Sequence, residues 1–302
     1  MGLSEQDVEF KTLDGTVLRG TLYPSSDRGP AIVMSPGFNC VKEMLGLPDA
    51  AARFQSAGYT VLLYDPRTTG LSGGEPRNDI DPIAQVGDYS DAISYVSTLS
   101  SVNPSEVFIW GMSFSAAVGL CVAALDPRAK GIIAVCPLTD FTYTEEKLPM
   151  VLKKCAQDRA SQVAGNDPFY LPMLDAQGRN PAGFGVGVDS EQYSKIVEAG
   201  KEIAPRHVNR TTVQTYYRMV LWQPFGLWRM IKNLPVLFVV PELDRLSPAE
   251  KQLGHWDSLV CPKRKVLVPG VGHMEIMEGD HVDGIMTNME EFLRDVLEGS
   301  VQ

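Results

Sequence analysis

The sequence lacks the features that place a protein in a membrane or on nucleic acid. No apolar run approaches the roughly 20 residues that a membrane-spanning helix requires. Lysine and arginine are not clustered, and 37 acidic residues against 27 basic ones give a net charge of −10, which argues against a phosphate-binding surface. Residues 1–7 lack the basic and apolar regions of a signal peptide. We therefore expect a cytoplasmic protein that binds neither nucleic acid nor membranes.

Cysteine is scarce and shows no pairing pattern. The five cysteines are odd in number, widely scattered and without a C-x-x-C pair: Cys40, Cys121, Cys136, Cys155 and Cys261. This predicts reduced thiols, with no disulfides and no zinc site. We expect no metal and no other cofactor. The sequence leaves open whether the chain forms a homodimer.

Strand and helix patterns alternate along most of the chain. Residues 31–34 and 59–64 are short, continuously apolar runs, as expected of strands buried on both faces. Asp81 followed by Pro82 is typical of a helix start, because it supplies an N-cap and a proline at the first helical position. The alternation predicts an α/β fold, with a mostly parallel sheet and helices on both faces.

One long segment interrupts this alternation. Residues 141–233 are rich in aromatic side chains and show no strand patterning. They stand between the sixth and seventh predicted strands. We therefore expect a core formed by residues 1–140 and 234–302, with residues 141–233 inserted as a helical cap.

A serine stands between an apolar strand and a helix-forming run in residues 107–117. Such a strand–turn–helix arrangement, a nucleophile elbow, presents a serine hydroxyl above the sheet. The turn needs small residues two positions before and after the nucleophile, and here they are Gly111 and Ser115, giving G-x-S-x-S. The pattern predicts Ser113 as the nucleophile. The competing interpretation is a buried serine that caps the helix.

The most suitable general base is His273, in a loop directly after a predicted strand. Open α/β sheets place their chemistry in such loops. The acid that orients it should also follow a strand and lie between the serine and the histidine in the chain. Asp244 is favoured over the competing carboxylate of Glu242 because it lies further along the loop, where it can reach His273. The other histidines are in polar contexts: His207 and His255 are expected to be exposed, and His281 to cap a helix or pair with nearby acids.

An oxyanion hole requires two backbone N–H groups directed at the developing negative charge. We expect one from Phe114, directly after the nucleophile, and the other from Phe38, in the loop after the third strand. Gly37 permits the close approach of this loop. The side chain of Asn39 is an additional candidate donor.

Three motifs carry a resemblance that covers nearly the whole chain. Residues 64–74 resemble the D-x-R-x-x-G-x-S loop of the α/β-hydrolases, and residues 35–39 and 111–115 match the oxyanion loop and the elbow. The chain order serine, aspartate, histidine is also that of this family. The departures are Ser35-Pro36 for the usual His and Ser115 for Gly. The combination is similar to the fungal hydrolases and acyltransferases of polyketide pathways, whose capped fold handles a polyketide acyl group.

The resemblance and the predicted chemistry together imply an esterase, thioesterase or acyltransferase. An apolar, polyketide-like acyl group, as a small molecule or bound to a carrier, would form an acyl-enzyme on Ser113. The expected substrate contacts are Asn39, Met112, Trp222 and Phe225. Alternatives are a lyase or cyclase that uses His273 as a base without covalent catalysis, a non-catalytic binding protein, and a nucleophile at Cys40.

Overall fold

A mixed eight-stranded sheet forms the centre of the computed structural model, which describes residues 4–301. The strands of the chain, of which β7 and β8 lie outside this sheet, are β1 (Gln6–Lys11), β2 (Val17–Tyr23), β3 (Gly29–Ser35), β4 (Thr60–Tyr64), β5 (Val102–Met112), β6 (Ala129–Val135), β7 (Tyr170–Leu171), β8 (Thr211–Thr212), β9 (Val236–Pro241) and β10 (Lys263–Val268). The order in the sheet is β1-β2-β4-β3-β5-β6-β9-β10. β2 pairs antiparallel with β1 and β4, and all other pairings in this sheet are parallel.

Helices cover both faces of the sheet. They are α1 (Leu47–Ser56), α2 (Pro82–Ser97), α3 (Phe114–Leu125), α4 (Leu148–Val163), α5 (Ser190–Tyr193), α6 (Gly200–Ile203), α7 (Val213–Leu221), α8 (Phe225–Trp228), α9 (Ala249–Ser258) and α10 (Val282–Glu298), with a π-helix at Ser194–Ala199. α1 and α10 bury their apolar sides on one face. α2, α3 and α9 pack on the other. The predicted mostly parallel sheet with helices on both faces is confirmed.

The start of α2 shows how a local signal fixes an element. The Asp81 side chain accepts hydrogen bonds from the backbone N–H groups of Ile83 and Ala84, and Pro82 occupies the first turn. These bonds satisfy two of the N–H groups that a helix leaves without partners at its start. The predicted helix start therefore lies where the sequence places it.

Residues 141–233 contain α4 to α8 and two very short strands. β7 and β8 pair antiparallel as a separate small sheet, which the sequence did not predict because two residues carry no periodicity. α8 packs on α3, and Trp228 Nε1 donates to the Ala117 carbonyl over 3.2 Å. The division into core and cap at residues 141 and 233 stays a prediction. No helix within residues 4–301 is long and apolar enough to cross a membrane.

Candidate active site

Ser113 lies at the sharp turn between β5 and α3. Its backbone has φ 58° and ψ −117°, in the left-handed half of conformational space that non-glycine residues rarely occupy. The Ser113 N–H donates to the Val135 carbonyl over 2.8 Å, which ties the turn to β6. A Cβ added at Gly111 would lie 2.6 Å from the carbonyl carbon of Ser115, so only glycine fits there. The turn thus has the strained geometry that the sequence predicts for an elbow.

A continuous chain of hydrogen bonds joins Ser113 to the two other predicted residues. Ser113 Oγ and His273 Nε2 are 2.8 Å apart, and His273 Nδ1 and Asp244 Oδ2 are also 2.8 Å apart. Asp244 follows β9 and His273 follows β10, and these neighbouring parallel strands end at the same edge of the sheet. Both side chains are buried. The structure therefore brings together all three residues.

Two buried groups that the sequence pattern did not reveal hold Asp244 in place. The Ser247 N–H donates to Asp244 Oδ1 over 2.8 Å, and Gln252 Nε2 donates to Asp244 Oδ2 over 2.9 Å. The only sequence signal for Ser247 is its position three residues after the acid, as in a local turn. Glu242 is exposed and accepts the N–H of Gly270 instead. Asp244, not Glu242, contacts His273.

The charge of Asp244 controls the protonation of His273. Burial acts to lower the pKa of His273, but Cys136 and Asp244 act in the opposite direction, and the pKa is raised well above 6.5. Cys136 Sγ is 3.8 Å from His273 Nε2. Because burial also raises the pKa of the Cys136 thiol, this thiol is neutral near pH 7. We therefore assign the raised pKa of His273 to the Asp244 carboxylate.

The two predicted oxyanion-hole residues lie side by side next to Ser113. Their rings meet edge to face, with centroids 5.4 Å apart. Within residues 4–301, neither the Phe38 nor the Phe114 backbone N–H donates to a protein acceptor. A Cβ added at Gly37 would lie 3.4 Å from Ser113 Cβ, so the Phe38 loop closely approaches the elbow. Asn39 is turned away: its Nδ2 donates to the Val208 carbonyl over 2.9 Å.

An apolar cavity of about 130 Å³ opens onto Ser113 and His273. It lies between the ends of the sheet strands and the loops and π-helix of residues 141–233. Its other lining residues are Gly37, Phe38, Cys40, Leu45, Met112, Leu138, Asp140, Met173, Leu174, Asn180, Phe184, Gly185, Gly187, Val188, Ile196, Leu246 and Met274. Met112, a predicted substrate contact, is among them. The aromatic residue that residues 141–233 contribute is Phe184.

The three other predicted substrate contacts lie outside the cavity, so the structure corrects these predictions. Asn39, Trp222 and Phe225 do not line this cavity. Trp222 is buried in the core cluster on the α3 face of the sheet. The Phe225 ring stacks on His255, with centroids 4.0 Å apart. Trp222 lines a groove at the start of α2 and Phe225 packs on α9, so both lie with the core cluster on that face rather than toward Ser113.

Two of the remaining histidines differ from expectation. His255, predicted to be exposed, is half-buried against Phe225. His207 is also half-buried, and burial lowers its pKa to about 4. His281 directly precedes α10, and its Nε2 lies 3.0 Å from the Glu275 carbonyl. None of these three rings is bonded to Ser113 or to His273 in the part of the chain that the structure describes.

Cys40 is poorly suited to act as a nucleophile although it lines the cavity. Its Sγ donates to the carbonyl of Phe38 over 3.5 Å. Burial raises the pKa of its thiol to about 12, so the reactive thiolate is disfavoured. In residues 4–301, no group of three or more His, Cys, Asp or Glu side chains is arranged to hold a metal ion.

The D-x-R-x-x-G-x-S loop forms hydrogen bonds that hold the loops next to the site. Buried Asp65 accepts the N–H groups of Lys42 and Leu71, each over 2.8 Å, and so joins two loops at the same edge of the sheet. Burial raises its pKa to about 6. A Cβ added at Gly70 would lie 2.2 Å from Asp65 Oδ2. Arg67 pairs with buried Asp88 at 2.6 Å. The motif is thus structural here.

Comparisons with known proteins agree with this architecture. Residues 32–285 match the Alpha/beta hydrolase family. A thiohydrolase of Eupenicillium brefeldianum is 49% identical over 95% of this chain and 92% of that protein. A polyketide transferase of Stachybotrys chlorohalonatus is 43% identical over 98% of both chains.

Solved structures give the same result. The complex of DcsB with its substrate analogue has a TM-score of 0.90 and 40% identity, over 97% of this chain and 99% of that one. The α/β hydrolase GrgF from Penicillium has a TM-score of 0.89 and 39% identity, over 98% of this chain and 100% of that one. The predicted α/β-hydrolase fold, with its similarity to fungal polyketide-pathway enzymes, is confirmed. The chain belongs to the α/β hydrolase family.

Proposed function

We propose that this protein hydrolyses or transfers an apolar acyl group, taken from an ester or thioester, through an acyl-enzyme on Ser113. The observation that carries the proposal is the hydrogen-bonded chain from Ser113 through His273 to Asp244, at the mouth of an apolar cavity. A serine, a base and an orienting acid in this arrangement are suited to nucleophilic acyl transfer.

In the acylation step, Ser113 Oγ attacks the carbonyl carbon of the substrate while His273 Nε2 takes the hydroxyl proton. The Asp244 carboxylate stabilises the resulting imidazolium and fixes the ring orientation. The N–H groups of Phe38 and Phe114 donate to the oxyanion of the tetrahedral intermediate. When the intermediate collapses, the bond to the leaving thiol or alcohol breaks, and His273 returns the proton to that group.

In the deacylation step, the acceptor attacks the acyl-enzyme while His273 Nε2 takes the acceptor's proton. The ester bond to Ser113 breaks, and His273 gives the proton back to Ser113 Oγ. Water as acceptor gives a free acid, whereas an alcohol or amine gives a transferred acyl group. The chemistry of the protein side chains is the same in both cases, and access of water to the cavity decides between them.

The acyl group is apolar because the cavity offers it mainly carbon atoms. Met173, Leu174 and Ile196 from residues 141–233 face Met274 and Phe38 from the core loops. Burying apolar area contributes about 25 cal/mol per Å². The relatives named thiohydrolase and polyketide transferase support a polyketide-like acyl group, presented as a small molecule or on a carrier. Residues 141–233 act as the lid of this cavity.

A lyase or cyclase using only His273 as a base is not favoured. That chemistry does not require a serine at a strained turn within 2.8 Å of the base. A non-catalytic binding protein has no use for the buried network around Asp244. The relatives named thiohydrolase and acyltransferase also point to acyl chemistry.

Turnover of acyl thioesters tests the proposal. We expect the wild-type protein to release thiol from hexanoyl-N-acetylcysteamine, and Ser113→Ala to lose this activity while keeping its circular dichroism spectrum and Tm. Product analysis with and without an added alcohol separates hydrolysis from transfer. Substantial turnover by Ser113→Ala would overturn the proposal in favour of base-only chemistry.

A further inference from the structure

The hydroxyl of Ser115 bonds to the ends of two strands at once. Ser115 is the second residue of α3 and is buried. Its Oγ donates to the carbonyl of Ser35 over 2.6 Å and accepts the N–H of Met112 over 3.0 Å. Ser35 ends β3 and Met112 ends β5, which are neighbouring parallel strands. The hydroxyl therefore joins these two strand ends beyond the last paired residues of the ladder, Ser35 and Gly111.

The two strand ends lead directly to the two donors of the oxyanion hole. Three residues after Ser35 comes Phe38, and two residues after Met112 comes Phe114. The intervening Gly37 packs so closely on the elbow that an added Cβ would lie 3.5 Å from the Met112 carbonyl oxygen. A shift of one strand end relative to the other would therefore change the separation of the two N–H groups.

We infer that Ser115 is a positioning residue that sets the geometry of the oxyanion hole, an inference that rests on the proposed function. Ser115 does not line the acyl cavity, so it does not contact the acyl chain. Glycine, which is usual in the G-x-S-x-G elbow, has no hydroxyl and cannot make these bonds. In this chain the serine supplies a fixed connection between the strand that carries the nucleophile and the loop that carries Phe38.

Removing the hydroxyl should weaken transition-state stabilisation more than substrate binding. We expect Ser115→Ala to lower kcat by about tenfold to a hundredfold, because a misplacement of about 1 Å can cost about 10²-fold. KM should change little. The inhibition constant of a trifluoromethyl ketone, whose adduct places an oxyanion in the hole, should rise by the same factor as kcat falls. Inhibition by the free acid product should not change.

Thr215→Val is the matched control for the loss of a buried hydroxyl. Thr215 Oγ1 accepts the N–H of Ile80 over 2.9 Å, away from the cavity. This variant should lower Tm and leave kcat unchanged. Ser115→Gly, the usual residue at this position, serves as a second variant if Ser115→Ala does not fold, with the same expected loss.

The outcomes separate this inference from the proposed function. If the Ser115 variants keep wild-type kcat and ketone affinity while Ser113→Ala is inactive, the inference is overturned and the proposed function stands. A higher KM with unchanged kcat, or a lower Tm alone as in Thr215→Val, overturns it as well. Turnover by Ser113→Ala overturns both.

Discussion

Two neighbouring groups, besides His273, form hydrogen bonds with the Asp244 carboxylate. Its carboxylate accepts from Ser247 and Gln252 and bonds to His273 Nδ1. These bonds fix the orientation of the carboxylate, so that its Oδ2 meets the Nδ1 of the imidazole. This contact determines which ring nitrogen carries the proton. A change at this residue therefore affects the tautomer of His273 more than the fold.

Asp244→Asn should lose roughly three to four orders of magnitude in kcat, because the amide favours the wrong imidazole tautomer. Glu242→Gln is the matched control, since the Glu242 side chain is exposed and accepts the Gly270 N–H rather than contacting His273. Steady-state kinetics on a p-nitrophenyl ester measure both. A larger loss in Glu242→Gln than in Asp244→Asn would show that the acid is wrongly assigned.

The pH dependence of kcat/KM should report His273. The base must be neutral to accept the Ser113 proton, so the rate falls as the pH drops through its pKa. Because this pKa is raised well above 6.5, the acid limb should lie above pH 6.5. In Asp244→Asn the attraction to the carboxylate is lost, and the limb should move to lower pH. A wild-type limb below pH 6.5 would contradict the electrostatic account.

At the scale of elements, the junction of β5 and α3 tolerates no extra atom. Gly111→Ala should lower the free energy of unfolding by about 1–3 kcal/mol or more, as overpacking does, because its Cβ would lie 2.6 Å from the Ser115 backbone. Gly254→Ala is the control, since it lies in α9 with open space around it. Alanine there should be neutral or stabilising. Thermal unfolding compares them; equal Tm values would contradict the tight junction.

The cavity between the sheet edge and the π-helix sets the preferred acyl length. An engineered cavity of about 150 Å³ holds a benzene ring, and the cavity here has about 130 Å³. We expect kcat/KM to rise about fourfold per methylene from acetyl, at about 0.8 kcal/mol each. The rise should level off near roughly six carbons, the size of that ring. A preference for acetyl thioesters would contradict an apolar acyl cavity.

Ile196 forms part of the wall between this cavity and a neighbouring groove, since Ile196 and Leu45 line both. Ile196→Ala should open the wall and move the optimum to longer acyl chains. Ile203→Ala is the control, because Ile203 is exposed and lines the groove but not the cavity. The same thioester series measures both variants. An unchanged optimum in Ile196→Ala would show that another residue closes the cavity.

For the molecule as a whole, the sequence predicted what local chemistry determines. The alternation of apolar runs and helices predicted the sheet. Ser113 directly follows one of its strands, and Asp244 and His273 lie in loops that follow two others. Parallel strands end at one edge of a sheet, so residues at their ends meet without further information. That is why residues far apart in the chain can be grouped from the sequence alone.

The sequence could not predict what depends on packing between distant segments. Trp222 and Phe225 were expected at the substrate, but nothing in their local pattern shows which way the chain from α7 to α8 faces. Phe184 lines the cavity instead, in a glycine-rich loop without periodicity. The sequence does not reveal Gln252, because its contact with Asp244 depends on how the loop before α9 folds back onto the first turn of that helix.

The covalent role of Ser113 is tested most directly by mass spectrometry after treatment with a fluorophosphonate. We expect one adduct per chain, mapped by peptide sequencing to Ser113, formed at a rate that falls in Asp244→Asn. Ser113→Ala should take up no label. A label on another residue, or full turnover by protein that resists labelling, would contradict nucleophilic catalysis by Ser113.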